Sequence, residues 1–224
     1  MNLDSVLVIT GIVVLKLLNA EHINRYFENR YLHKNKYDTI VKDIPMDPKG
    51  NAEGYYKWKN RIEVKMNLRT LEKGFDSLEI RVWYGQSFSD SVQLVIFKRD
   101  QLRWSCEFYD LAFRYEKRRD SIIGIGQKME KKNPRSGWKD FISKLNKLKI
   151  VELPDASQLP NYALCQDGDG VTIEISTQRR YRIYNYSCFA SNEGIWQAKN
   201  IEKFMELIEY EFNFKRIEAP PLNH

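Results

Sequence analysis

Alternating apolar and polar residues give the middle of the chain its clearest pattern. From residue 77 to 84 every second side chain is apolar, which is typical of a strand with one buried face. Residues 91–98 are apolar on both faces, as expected of a central strand, and residues 103–109 alternate again. Three such runs at short spacing predict an antiparallel meander, and the pattern extends less regularly through 112–115.

Two helices and a second group of strands are predicted further along the chain. Ser136 is a residue type that caps helix N termini, and apolar residues at helical spacing follow through 148; a similar stripe runs from about 195 to 212. Between the helices, residues 162–165, 171–176 and 181–188 predict three strands. The order strands, helix, strands, helix favours an α+β fold of antiparallel β meanders with two packed amphipathic helices.

The N-terminal segment, residues 1–20, contains an apolar run at 6–15 with the length of a signal-peptide core. It is shorter than the span of about 20 residues that crosses a membrane. Its flanks fit export imperfectly, because Asp4 is the only charged side chain before the run. We expect an export signal and a mature protein that begins near Glu21; a buried core element of a cytoplasmic protein, or an anchor, is the alternative. Residues 21–224 then form a single α+β domain, polar and loop-rich from 33 to 74 except for a short strand at 61–66.

One basic segment accounts for the net charge of +6. The segment 116–149 holds eleven Lys or Arg against four acids, and half of it is the solvent face of the predicted helix that begins near 136. Solvated surface is the plain interpretation, and an anionic partner is the alternative. Few aromatic residues interleave the basic loop, which disfavours nucleic acid as a partner. The candidate anion-binding residues are Lys117, Arg118, Arg119, Lys128, Lys131 and Lys132.

Histidine is confined to positions 22, 33 and 224, which argues against nucleophile–histidine pairs and histidine-rich metal sites near the folded centre. The segment 167–170 (DGDG) lacks the spacing of a calcium loop and is interpreted as a hairpin turn. Gly124 and Gly126 are interpreted as loop residues. The sequence therefore predicts no metal and no cofactor.

The second face of the predicted sheet mixes aromatic and charged side chains, a combination that suits a binding pocket. The alternative is a face covered by the two helices, which must bury their apolar stripes. Phe97, Glu107 and Tyr186 are assigned to this face with the six candidate ligand-binding residues. Those six are Arg81, Trp83, Tyr109, Glu174, Arg182 and Tyr184.

The three cysteines, Cys106, Cys165 and Cys188, form no disulfide framework. If residues 162–165 and 181–188 flank a middle strand, Cys165 and Cys188 lie about 10 Å apart. A disulfide spans at most about 7 Å between Cα atoms. The strand order therefore predicts that Cys165 and Cys188 are not bonded.

Four stretches together carry a resemblance: 74–85 (GFDSLEIRVWYG), 136–145 (SGWKDFISKL), 170–176 (GVTIEIS), and 181–187 (YRIYNYS) ahead of 196–212. They resemble a group of uncharacterised exported bacterial proteins of similar length. The resemblance implies export and supplies neither a function nor catalytic residues.

The leading hypothesis is an exported, non-enzymatic binding or interaction protein whose partner is a protein or a small ligand. One alternative is an enzyme of unusual type that acts through carboxylate, Tyr or Lys side chains in the sheet-face pocket. A second alternative is an anion- or nucleic-acid-binding protein that uses the basic segment. Membrane contact is expected at most through residues 1–20.

Overall fold

A computed structural model describes residues 40–86, 89–101, 103–116, 122–165 and 168–216. The predicted export signal at 1–20 lies outside these residues. So do three of the basic candidates, Lys117, Arg118 and Arg119.

Seven strands in the described part of the chain form one sheet, in the order β1-β7-β6-β2-β3-β4-β5. Strand β1 runs parallel to β7, and every other neighbouring pair is antiparallel. The strands are β1 (Val41–Asp43), β2 (Leu78–Gln86), β3 (Ser91–Asp100), β4 (Arg103–Tyr115), β5 (Ile122–Lys132), β6 (Asp169–Thr177) and β7 (Arg180–Ser187).

Helices cover both faces of the sheet. Helices α2 (Trp138–Lys147) and α3 (Trp196–Phe212) bury side chains such as Phe141 and Phe204 against one face, called here the α2/α3 face. Helix α1 (Gly54–Lys65) lies on the other, the α1 face, where Ile62 packs beside Leu94. The fold is α+β, as the order of the predicted elements indicated, with one helix more than predicted.

Three elements were missed: β1, which lies in the stretch predicted as loops, and α1 and β5, whose sequences lack a long one-sided apolar pattern. Residues 61–66, predicted as a strand, belong mainly to α1, whose buried face carries Lys59 and Glu63 beside Ile62. Strand β5 lies at the edge of the sheet and is mostly exposed, so its composition resembled a basic loop. Gly124 and Gly126, predicted as loop residues, lie within β5.

Ser136 does not cap α2. The helix begins at Trp138 after Gly137, without a side-chain cap. The Ser136 hydroxyl instead donates to the carboxylate of Glu211 on α3, at 2.9 Å. This contact links the start of α2 to α3.

The prediction that Cys165 and Cys188 are not bonded is wrong. They form a disulfide with a Cα–Cα distance of 6.1 Å. Residues 162–165 are a loop rather than a strand, so no strand separates Cys165 from the end of β7. Asp169 and Gly170, predicted as turn residues, lie within β6, and Asp167 lies outside the described residues. Gly168 packs against the bond so closely that a Cβ there would overlap the Cys188 sulfur.

Candidate functional site

The structure divides the six predicted ligand-binding residues between the two faces of the sheet. Arg81, Trp83, Tyr109 and Glu174 share the α1 face, together with Glu107. Arg182 and Tyr184 lie on the α2/α3 face, as do Tyr186 and Phe97. The prediction of one common face is wrong for these four residues.

The register between β6 and β7 explains the division. Glu174 pairs with Ile183, so Ile183 points to the same side as Glu174 and its neighbours in β7 point to the opposite side. On that side the Arg182 guanidinium donates to Asp43 and to the carbonyl of Val151, both at 2.8 Å. These partners make Arg182 part of the packing between the sheet and the loop that follows α2.

Five charged side chains are buried together between α1 and the sheet, and we call them the buried charge cluster: Lys59, Glu63, Glu79, Arg81 and Glu174. Each is at most 4% exposed. The Lys59 ammonium lies 2.5 Å from Glu174 and 3.1 Å from Glu63. Arg81 binds Glu79 at 2.7 Å and also contacts Glu63. The cluster therefore ties α1 to β2 and β6 through ion pairs rather than apolar contacts.

The cluster holds more carboxylates than cations, and this affects protonation. Burial, and then repulsion from Glu174, raise the pKa of Glu63 to about 7. Burial also opposes the ionisation of Glu174, but Lys59 and Arg81 hold the pKa of that carboxyl below its usual range. Near neutral pH the cluster therefore contains one carboxyl that exchanges a proton and one that stays ionised.

Two uncharged donors complete the hydrogen bonding of the Glu174 carboxylate. The Trp83 indole nitrogen donates to it at 2.8 Å, and so does the Tyr181 hydroxyl, also at 2.8 Å. Glu174 is fully buried. Trp83 thus stands between the buried charge cluster and the space beside it.

That space is a cavity of about 550 Å³ between α1 and the sheet. Tyr55 and Trp58 line it from the helix, Phe113 and Tyr115 line it from β4, and Trp83 lines it from β2. Trp58 meets Trp83 and Phe113 edge to face, at ring-centre distances of 6.1 and 6.3 Å. Five aromatic side chains therefore form part of the cavity wall.

Small residues on adjacent strands leave room for the cavity. Gly85 of β2 pairs with Gly170 of β6, and Gly170 pairs with Ser187 of β7. A Cβ at Gly170 would approach no atom closer than 3.9 Å. Because these positions carry only glycine or serine, space remains between the sheet and the aromatic side chains of α1.

Two polar groups of the lining, the Asn185 amide and the Tyr55 hydroxyl, donate hydrogen bonds to neighbouring side chains. The Asn185 amide donates to the Thr172 hydroxyl at 2.8 Å, and the Tyr55 hydroxyl donates to Asp155 at 2.7 Å. Asp90 and Asp169 add carboxyl groups to the lining, and burial raises the pKa of Asp169. No Lys, Arg or His lines the cavity among the residues that the structure describes.

The sequence did not point to Tyr55 and Trp58, because they lie in the stretch predicted as loops. A signal was present nonetheless. Tyr55, Trp58 and Ile62 recur at the spacing of one helix face, although no long apolar run supports it.

The three described anion-binding candidates, Lys128, Lys131 and Lys132, each lie beside an acidic side chain. Lys128 and Lys132 both pair with Glu130, at 2.8 and 3.3 Å, and Lys131 lies 3.7 Å from Glu107. Acidic neighbours thus offset the charge of the three described candidates.

Among the described residues, no group of three His, Cys, Asp or Glu side chains is placed to hold a metal ion. None of their helices has the length and hydrophobicity needed to cross a membrane.

Comparisons with known proteins add no assignment: no family profile, no curated protein and no solved structure matches this chain. Its function has to be argued from the cavity and its surroundings.

Proposed function

We propose that this protein is an exported, non-enzymatic binding protein that holds a small organic ligand in the cavity between α1 and the sheet. The observation that carries the proposal is the aromatic cavity itself. Its volume of about 550 Å³ lies within the range of roughly 300–1,000 Å³ typical of small-molecule sites. Aromatic walls with a few polar groups are the usual lining of such sites.

The surroundings of the cavity support a preformed site. The buried charge cluster fixes α1 above the floor, and the disulfide borders the cavity through Cys165. Walls held from several directions lose little freedom when a ligand binds, which favours affinity.

Binding has better support than catalysis. Glu63, whose pKa burial raises to about 7, is 4% exposed and is held by Lys59 and Arg81. Glu174 is fully buried behind Trp83. A catalytic acid or base must come within hydrogen-bond reach of its substrate, and these two carboxylates are engaged elsewhere.

Export is supported by the disulfide as well as by the apolar run at 6–15. Disulfides persist in oxidising compartments and are rare in the cytosol. Cys165 and Cys188 are bonded, and the remaining thiol, Cys106, is buried. Intact-mass measurement on protein from its native host tests this part: we expect a species that begins near Glu21. A soluble cytoplasmic species that retains residues 1–20 would contradict it.

Fragment screening by protein-observed NMR tests the binding site. The chain has five tryptophans, of which Trp58 and Trp83 line the cavity. A library of neutral, anionic and cationic fragments should yield compounds that shift these two indole signals. The signals of Trp104, Trp138 and Trp196 serve as internal references, because those rings lie away from the cavity. A library that leaves Trp58 and Trp83 unmoved would overturn the proposal.

A further inference from the structure

We propose that the ligand of this cavity is an organic cation, a substituted ammonium group held against the aromatic walls. The inference rests on the proposed function, because it names the ligand class of the same site. Four features of the surroundings support it.

The first feature is the absence of a competing positive charge in the described lining. Asp90 and Asp169 carry carboxyl groups, and Ser89, Thr172, Asn185 and Ser187 are polar and uncharged. The other described lining residues are aromatic, apolar, glycine or part of the disulfide. The nearby cation Lys59 is bound between Glu63 and Glu174. An anionic ligand would find no cation at the wall, whereas a cationic ligand would meet no repulsion there.

The second feature is the hydrogen bonding of two wall residues to buried carboxylates. Trp83 donates its indole N–H to Glu174 at 2.8 Å, and Tyr55 donates its hydroxyl to Asp155 at 2.7 Å. Donation to an anion increases the electron density of the donating ring. Since a cation is attracted to the negative face of an aromatic ring, both contacts strengthen that attraction.

The third feature is an excess of buried negative charge beside the cavity. Asp155 is 4% exposed and accepts only from neutral groups, namely Tyr55, Ser157 and the Asn185 backbone. No described cation lies within ion-pair distance of it. The buried charge cluster adds three carboxylates against two cations. A ligand cation would offset part of this charge.

The fourth feature is the orientation of the rings. Trp58 is inclined by 75° to Trp83 and by 90° to Phe113, and Phe113 by 73° to Tyr115. Steeply inclined rings form the walls of a box, which surrounds a compact group from several sides. Parallel rings would suit a flat aromatic ligand instead. Compact ammonium groups are recognised by such arrangements of aromatic rings.

Choline and its neutral isostere 3,3-dimethylbutan-1-ol separate charge from shape. Calorimetric titrations of the full chain at constant ionic strength should show that choline binds at least about fivefold more tightly, because only choline gains the cation–π attraction. Glucose is the third probe and represents neutral polyols.

Two variants locate the effect. We expect Asp155→Asn to reduce the preference for choline over its isostere, since it removes the buried charge, whereas any change in the hydrogen bonds around residue 155 affects both probes. The matched control is Asp140→Asn, on the exposed surface of α2, which should leave the preference unchanged. Thermal melts show whether each variant is folded. The comparison of choline with its isostere on the unmodified protein tests the inference independently of the variants.

The outcomes distinguish the two proposals. Equal binding of choline and the isostere, tighter binding of glucose, or failure of choline to bind while neutral fragments shift Trp58 and Trp83 would overturn the cation inference and leave the binding function standing. If neither choline nor any fragment binds at the cavity, both proposals fall.

Discussion

Single residues on the α1 face combine burial with charge. Lys59 is fully buried, and its ammonium group lies between two carboxylates. One belongs to Glu63, four positions along α1, and the other to Glu174 on β6. Burying such charges is costly unless each is paired, so the stability of this face depends on every member of the cluster. Trp83 connects the cluster to the cavity through its bond to Glu174.

Lys59→Met should lower the free energy of unfolding by about 3–5 kcal/mol, because it leaves buried carboxylates without their ammonium partner. Urea denaturation measures the change. The control is Lys57→Met on the exposed side of α1, which should cost little. Adding Glu174→Gln to Lys59→Met should recover part of the loss; a Lys59→Met protein as stable as the control would show that the cluster does not support α1.

The raised pKa of Glu63 predicts a pH dependence of stability. Burial and the proximity of Glu174 raise the pKa from an ordinary 4.5 to about 7 in the folded chain. The folded protein therefore holds this proton more tightly than the unfolded chain. The resulting stability is present in full below pH 4.5 and is lost as the pH rises to about 7.

Chemical denaturation at several pH values tests this dependence. Between pH 4.5 and about 7, the unmodified protein should lose stability relative to Glu63→Gln, which cannot ionise. Glu206→Gln, on the exposed side of α3, should instead follow the unmodified protein. Parallel profiles for Glu63→Gln and the unmodified protein would contradict the role given to Glu63.

At the scale of elements, the sequence predicted the strands and helices that bury one apolar face. Strands β2, β3 and β4 and helix α3 were found by their periodicity, because their apolar residues face a core that excludes water. Helix α1 was missed because Lys59 and Glu63 occupy buried positions, and their partners Glu174 and Arg81 are distant in sequence. Strand β5 was missed because an exposed edge has no apolar face to reveal it.

The candidate site was harder to predict than the sheet, because it depends on contacts between distant segments. Alternation alone correctly placed Arg81 and Trp83 on one face. Which side chains of β7 share a face with those of β6 depends on the register of the pairing between the two strands. The composition of either strand does not specify that register. The cavity needs Gly85 opposite Gly170 and α1 above them, and only the fold brings these together.

The disulfide should fix the loop before β6 to the end of β7. Replacing Cys165 and Cys188 by Ser should cost about 3 kcal/mol, the value typical of a bond that closes a loop of this size, with a separation of 23 residues. Urea denaturation of the variant and of the unmodified protein measures the loss in free energy of unfolding. Cys106→Ser is not a suitable control because Cys106 is buried, and we therefore use Ser105→Ala, at an exposed position of β4, for comparison.

Peptide mapping under non-reducing conditions checks the same bond directly. We expect a Cys165–Cys188 peptide and an unmodified Cys106. Burial raises the pKa of the Cys106 thiol well above its usual range, so alkylation of the folded protein should be slow. Recovery of both Cys165 and Cys188 as free thiols in protein purified without reductant would contradict the pairing.

At the scale of the whole molecule, the sheet separates two different environments. Helices α2 and α3 close the α2/α3 face with a continuous apolar core that includes Phe97, Phe141 and Phe212. The α1 face is closed only in part, by buried ions at one end and by the aromatic cavity at the other. One face therefore supplies stability, and we infer that the other supplies binding.

The most direct test of this account compares Gly170→Leu with Gly126→Leu in titrations with a ligand found by the fragment screen. Both glycines lie in strands, and an added Cβ would approach no atom closer than 3.9 Å at Gly170 or 3.8 Å at Gly126. Only Gly170 faces the cavity. We predict that Gly170→Leu remains folded and loses binding at least about tenfold, since a leucine side chain would occupy the ligand volume. Gly126→Leu should bind as the unmodified protein does. Unchanged binding by a folded Gly170→Leu protein would contradict the claim that this cavity is the binding site.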